Sequence, residues 1–140
     1  MNKTLRTTWS GSLQGNGKIT GDTLDIPIAI PVSYGGCGTG ADPKDLLVSS
    51  AAACFSMTAI AMLEASKFPV HALDMKTEAS DAEDGEFQIV HHLQLTLSED
   101  ATAEQVRMVG SIIHSAEKKC SVGNMLRKAG INIGIQLVVF

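Results

Sequence analysis

A chain of 140 residues, 44% apolar and 19% charged, is long enough for one domain with its own core and too apolar for a disordered polyelectrolyte. Eleven Lys and Arg against fifteen Asp and Glu give a formal charge of -4, and aromatics are only 4%. A basic stripe for phosphates and a base-stacking surface are both missing, so nucleic acid is excluded as an expected partner.

The first third reads as β structure. Thr7 to Gly11, Lys18 to Thr20 and Leu24 to Val32 are short runs punctuated by Gly11, Gly15, Gly17 and Gly21. Pro27 and Pro31 place the third run at a sheet edge or in extended chain, because proline cannot donate to a central ladder. The loop from Tyr34 to Ala41 holds Cys37 and four glycines and is expected to be flexible. Asp42 as cap, Pro43 at the first helical position and Asp45 in the first turn open a helix that runs to about Ala65 or Ser66. From Leu46 to Leu63 this helix carries no charge, close to the roughly 20 residues a bilayer requires. Its serines, Thr58 and alanines, without aromatic or basic belts at both ends, favour the core helix of a soluble protein over a membrane span.

Strands follow at Val70 to Ser80 and Phe87 to Leu97, joined by an acidic, Gly-containing turn. In the second, Phe87, Ile89, His91, Leu93, Leu95 and Leu97 share one parity, opposed by Gln88, His92, Gln94 and Thr96: a half-buried antiparallel strand. Thr102 and Gln105 form a capping box at the start of a helix whose apolar seam is Val106, Val109, Ile113, Ala116 and Cys120. Ser121 reads as the cap of a short helix through Leu126 to Ala129, stopped by Gly130, and Ile131 to Phe140 is a terminal strand. The order β-β-β-α-β-β-α-α-β is an α+β arrangement in a single domain, residues 1–140.

Three cysteines form an odd set without the density of a secreted disulfide scaffold, and Met1 to Arg6 lack the apolar run of a signal peptide. A reducing cytoplasm is the expected compartment. Cys54, preceded by Ala51, Ala52 and Ala53, is either a small buried hydrophobe or a thiol that another side chain can approach closely. Cys120 either packs in the core or is drawn toward thiolate by Lys118, Lys119 and the helix start that follows. If their sulfurs meet, the two can cycle through a disulfide, with a peroxide driving the cycle through a sulfenic acid. Cys37 is either an incidental surface thiol or an alternative partner for Cys54. No Cys-x-x-Cys or His-x-x-His spacing exists, and His91 and His92 point to opposite strand faces, so neither metal nor other cofactor is expected. His114 reads as a partly buried helix histidine. The glycine loop lacks a P-loop ending, and no serine has a G-x-S-x-G context.

Four segments carry a family resemblance. Gly35-Gly36-Cys37-Gly38-Thr39-Gly40-Ala41-Asp42-Pro43 resembles the Gly-rich loop before an Asn-Pro in the OsmC/Ohr family, the osmotically induced and organic-hydroperoxide-resistance proteins. Ala52-Ala53-Cys54-Phe55-Ser56-Met57 is similar to its Ala-Ala-Cys-Phe helix, and Ala116-Glu117-Lys118-Lys119-Cys120-Ser121-Val122 to its second-cysteine segment. The strand after Gly130 falls where the family has one.

The resemblance implies an OsmC-like fold, with antiparallel sheets wrapped around two central helices in an intertwined homodimer. It also implies a thiol peroxidase for organic hydroperoxides, in which Cys54 attacks the O–O bond and Cys120 resolves the sulfenic acid as a disulfide. A dithiol reductant, a lipoylated protein or small thiol, would restore both cysteines. Neither nucleic acid nor membrane is an implied partner. The helper residues depart from the family. Its Glu after the loop proline is here Lys44, followed by Asp45, and its thiolate-stabilising Arg is replaced by Lys18 at one family location and Ser33 at the other. Lys18, Lys44 and Asp45 are therefore the candidates for stabilising the thiolate, although Lys44 lies about 15 Å along the helix from Cys54. Ser121 stands where the family has a proline after the second cysteine. These departures make a second reading worth carrying: an OsmC-like dimer with a degenerate site, acting as redox sensor, small apolar ligand binder or sulfur-transfer protein.

Overall fold

The computed structural model describes residues 1–140, which form two compact units, Met1–Leu47 and Val48–Phe140. In the first, β1 (Arg6–Ser10), β2 (Asn16–Thr20) and β3 (Asp25–Ile28) make an antiparallel meander in chain order. β3 is an edge strand, the position at which Pro27 is tolerated. It is shorter than the expected run to Val32, because Pro31 turns the chain into a single 3-10 turn, Val32–Tyr34. The glycine loop is pinned rather than loose. Gly36 N–H donates to the Pro31 carbonyl (3.0 Å), Gly38 N–H to Ile30 (3.0 Å) and Ala41 N–H to Pro27 (2.9 Å). A side chain on Gly36 would collide with the Ile30 carbonyl, so this close return depends on a bare Cα.

The second unit holds a three-stranded sheet in the order β4 (Val70–Asp81), β5 (Phe87–Leu97), β6 (Asn132–Val139). β4 and β5 are an antiparallel hairpin, whereas β6 runs parallel to β5. The sheet is thus mixed, where only antiparallel sheets were expected. The cause is the connection: α2 (Ala103–Lys119) and α3 (Ser121–Lys128) fill the crossover that a parallel neighbour requires.

The core lies in this unit. α1 (Pro43–Ala65) buries Ala51, Phe55, Ala59 and Leu63, a stripe at every fourth residue. Its other faces are more open, with Met57 and Ile60 exposed. α1 is long and apolar enough to cross a membrane by length and composition alone. Against its buried stripe lie Leu93, Leu95 and Leu97 of β5 and Val109, Ile113 and Ala116 of α2. Val106, expected on the same seam, stands exposed in the first turn of α2, a turn ahead of the buried stripe. His114 is also exposed, one residue past the buried Ile113.

The helix ends follow local chemistry. Thr102 Oγ1 accepts from Gln105 N–H (3.1 Å), and Gln105 Oε1 accepts from Thr102 N–H (2.8 Å), completing the capping box. α3 is capped by Cys120 instead of Ser121: the sulfur accepts from Gly123 N–H at 3.4 Å, and Ser121 is the first helical residue. Gly130, with φ 92°, closes α3 as Ile131 N–H reaches back to the Leu126 carbonyl (3.0 Å).

Candidate active site

Cys54 sits on α1 one residue before the buried Phe55, which leaves it partly accessible beside the core. Cys120 ends the buried seam of α2 and is 3% exposed. Both are free thiols, and each is among the groups that set the other's acidity. Ser121 Oγ lies 3.8 Å from the Cys54 sulfur, and Thr58 Oγ1 donates to the Cys54 carbonyl (2.8 Å).

Their acidities diverge. Burial pushes the Cys54 thiol up, but hydrogen bonds from Cys120, the Val122 backbone N–H, Ser121 and Thr58 outweigh it, and the net shift is downward. Cys120 goes the other way. Burial raises it, the Cys54 hydrogen bond and charge raise it further, and the opposing influence of Gly123 N–H and the Arg127 cation is smaller. One accessible thiol is therefore biased toward thiolate beside a buried thiol held protonated.

The helper candidates belong to the first unit. Lys18 Nζ pairs with Asp25 Oδ1 at 3.2 Å on the exposed face of the first sheet. Asp45 is committed to the start of α1: its N–H donates to Asp42 Oδ1 (2.7 Å), and its carboxylate accepts from Asp42 N–H (3.1 Å). Lys44, in the same turn, lines a cleft of the first unit with Trp9, Ile28 and Tyr34. The Cys37 sulfur is held by Thr39 Oγ1 (3.2 Å) and the Gly15 carbonyl (3.4 Å), so the freely moving loop thiol expected from the glycines is not found. The Thr39 hydroxyl, then its backbone N–H, lowers the Cys37 thiol.

Three residues near the cysteines were not among the expected site residues. His91 is fully buried on β5, stacks on Phe55 with ring centroids 5.3 Å apart, and shares a 2.9 Å hydrogen bond between Nδ1 and Thr77 Oγ1. Burial, then the Arg127 cation, lowers its pKa. Glu117 and Arg127 form a half-buried pair, Nη2 to Oε1 2.8 Å. With Cys120 and His91 they line a cavity of about 10 Å³, room for one water. Their spacing was the available signal: Glu117 is three residues before Cys120 and Arg127 seven after it, which places Arg127 two helical turns along the face that Cys120 caps.

A partly accessible thiol lowered in pKa beside a buried thiol raised in pKa thus stands in a chain with two three-stranded sheets and three α-helices. Residues 35–136 match the family model described as OsmC-like protein, and the chain belongs to that family. It is 28% identical over 137 residues to the uncharacterized protein YmaD of Bacillus subtilis (strain 168), covering 95% of this chain and 89% of that one. Among solved structures, an OsmC-like protein from Mycoplasma pneumoniae matches with a TM-score of 0.72 at 22% identity over 99% of both chains. An organic hydroperoxide resistance protein OsmC from Legionella pneumophila, described as a predicted redox protein, matches with a TM-score of 0.67 at 20% identity over 96% of both chains. These likenesses establish the shared fold.

Proposed function

We propose that the protein is a cytoplasmic thiol peroxidase that reduces organic hydroperoxides to alcohols, with Cys54 as nucleophile and Cys120 as resolving thiol. The observation that carries this reading is an accessible Cys54 thiol, shifted downward and 3.8 Å from Ser121 Oγ, beside a buried Cys120 thiol shifted upward. The Cys54 thiolate attacks the distal peroxide oxygen, the O–O bond breaks, and the alkoxide takes up a proton and leaves as alcohol. The Cys120 sulfur then displaces the oxygen of the Cys54 sulfenic acid as water, forming the disulfide. A dithiol, a lipoylated protein or small thiol, reduces that disulfide and is itself oxidised to its cyclic form.

The reading includes a homodimer, supported by the exposed Met57 and Ile60 on α1 and the open apolar faces of the first unit. A second reading, a redox sensor that oxidises once and slowly, is favoured by one observation: Lys44 stands where the family has its Glu, and Lys18 or Ser33 where it has its thiolate-stabilising Arg. Consumption of cumene hydroperoxide with dihydrolipoamide as reductant tests both. Many turnovers in the wild type, lost by at least about a thousandfold in Cys54→Ser, support the peroxidase. A single slow turnover supports the sensor, and full activity in Cys54→Ser removes both.

A further inference from the structure

We infer that Arg127, oriented by Glu117, is the positioning residue that readies Cys120 for disulfide formation; this rests on the peroxidase reading above. The geometry is a clamp around one joint. Arg127 Nη2 donates to Glu117 Oε1 (2.8 Å), and Nη1 to the Glu117 carbonyl (3.3 Å) and to Asn124 Oδ1 (3.3 Å). Nη2 also reaches the Ile133 carbonyl on β6 (3.5 Å). One guanidinium thus ties the last turn of α2 to α3 and β6, and Cys120 is the single residue between the two helices. A planar fork is needed for this, since a lysine ammonium cannot hold two helices and a strand in one plane.

Gly123 lies close against the Cys120 sulfur and in ordinary contact range of the guanidinium. A Cβ there would stand 3.3 Å from the Cys120 sulfur and 3.6 Å from Arg127 Nη1. The charged and titratable groups around Cys120 are few. α1 presents Cys54, β5 presents His91, α2 presents Glu117 and α3 presents Arg127, while β6 presents only Ile133 and Ile135. Burial and Arg127 both work against a charged His91, so Arg127 is the standing cation of this set and Glu117 its counter-charge.

Resolution requires Cys120 to surrender its proton. The thiolate attacks the sulfur of the Cys54 sulfenic acid, the S–S bond forms, the S–O bond breaks, and the departing hydroxide leaves with that proton as water. Burial opposes the thiolate; Arg127 and the Gly123 N–H oppose burial. Glu117 both aims the guanidinium and tempers its charge, so the two residues have opposite expected effects.

Rapid quench of the full chain with one equivalent of cumene hydroperoxide separates sulfenic acid formation, trapped with dimedone, from disulfide formation. Arg127→Met is expected to leave the first phase unchanged, slow the second about tenfold at neutral pH and move its pH midpoint upward by about one unit. Arg127→Lys, which keeps the charge but not the fork, restores most of that midpoint while the second phase stays slow, and Glu117→Gln moves the midpoint downward. A merely structural pair would not give shifts of opposite sign. A normal first phase with unmoved midpoints in folded Arg127→Met and Glu117→Gln overturns the inference alone. Should Arg127→Met fail to fold, the midpoint of Glu117→Gln decides. No first phase in the wild type overturns the peroxidase reading and this inference with it.

Discussion

In Val48–Phe140, Phe55, Leu63, Leu93, Leu95, Val109 and Ile113 are all buried against one another, Cys120 belongs to that cluster and Cys54 packs against it. In Met1–Leu47 the only buried apolar side chain is Ala29, while Trp9, Leu13, Val32 and Tyr34 are exposed. Trp9, Ile19, Ile28 and Tyr34 instead line an open cleft of about 770 Å³. A three-stranded sheet needs a packed apolar face to be stable, and the first unit does not provide one for itself. The second unit closes a core and brings two thiols together; the first presents apolar surface that needs a cover, which the proposed homodimer supplies.

The largest effect that tests this contrast is a core truncation. Leu93→Ala, in the centre of β5, should cost about 2–5 kcal/mol in urea unfolding, because both the transferred area and the cavity left behind count against it. Next is Trp9→Glu, which would place a charge on the open apolar face. Sedimentation equilibrium is expected to show dimer dissociation favoured by roughly thirtyfold, about 2 kcal/mol. An unchanged mass in solution would show that this face does not need a cover.

Smaller still is the pH response of the second unit. The folded pKa of His91 lies below its unfolded value, so between the two the unfolded chain binds more protons than the folded one. The contribution is complete above about pH 6.5 and is lost as pH falls through that value toward the folded pKa. The melting temperature should therefore drop between pH 7 and 5, and His91→Gln should flatten that slope. Cys37→Ser, in the first unit, is expected to leave hydroperoxide turnover unchanged, since its sulfur is held by Thr39 and Gly15.

What could be read from the chain was local. The parity of β5, the Thr102–Gln105 box and the Asp42–Asp45 start of α1 each depend on residues a few positions apart, and each is present. The parallel pairing of β6 depends on where a long crossover returns, which no short window contains. The cap of α3 was misplaced by one residue because a thiol is a weaker expected cap than a hydroxyl, although the Cys120 sulfur is the atom that accepts. Cys54 and Cys120 were legible as residue types, while their meeting depended on packing α1 against α2. The Glu117–Arg127 pair joins two helices across ten residues, and its cation acts on Cys120.

Disulfide mapping by mass spectrometry, after one equivalent of organic hydroperoxide on the reduced protein, tests the central claim most directly. The account predicts a Cys54–Cys120 disulfide with Cys37 still free, and a sulfenic acid on Cys54 when Cys120 is replaced by serine. A disulfide through Cys37, or oxidation that spares Cys54, would contradict it.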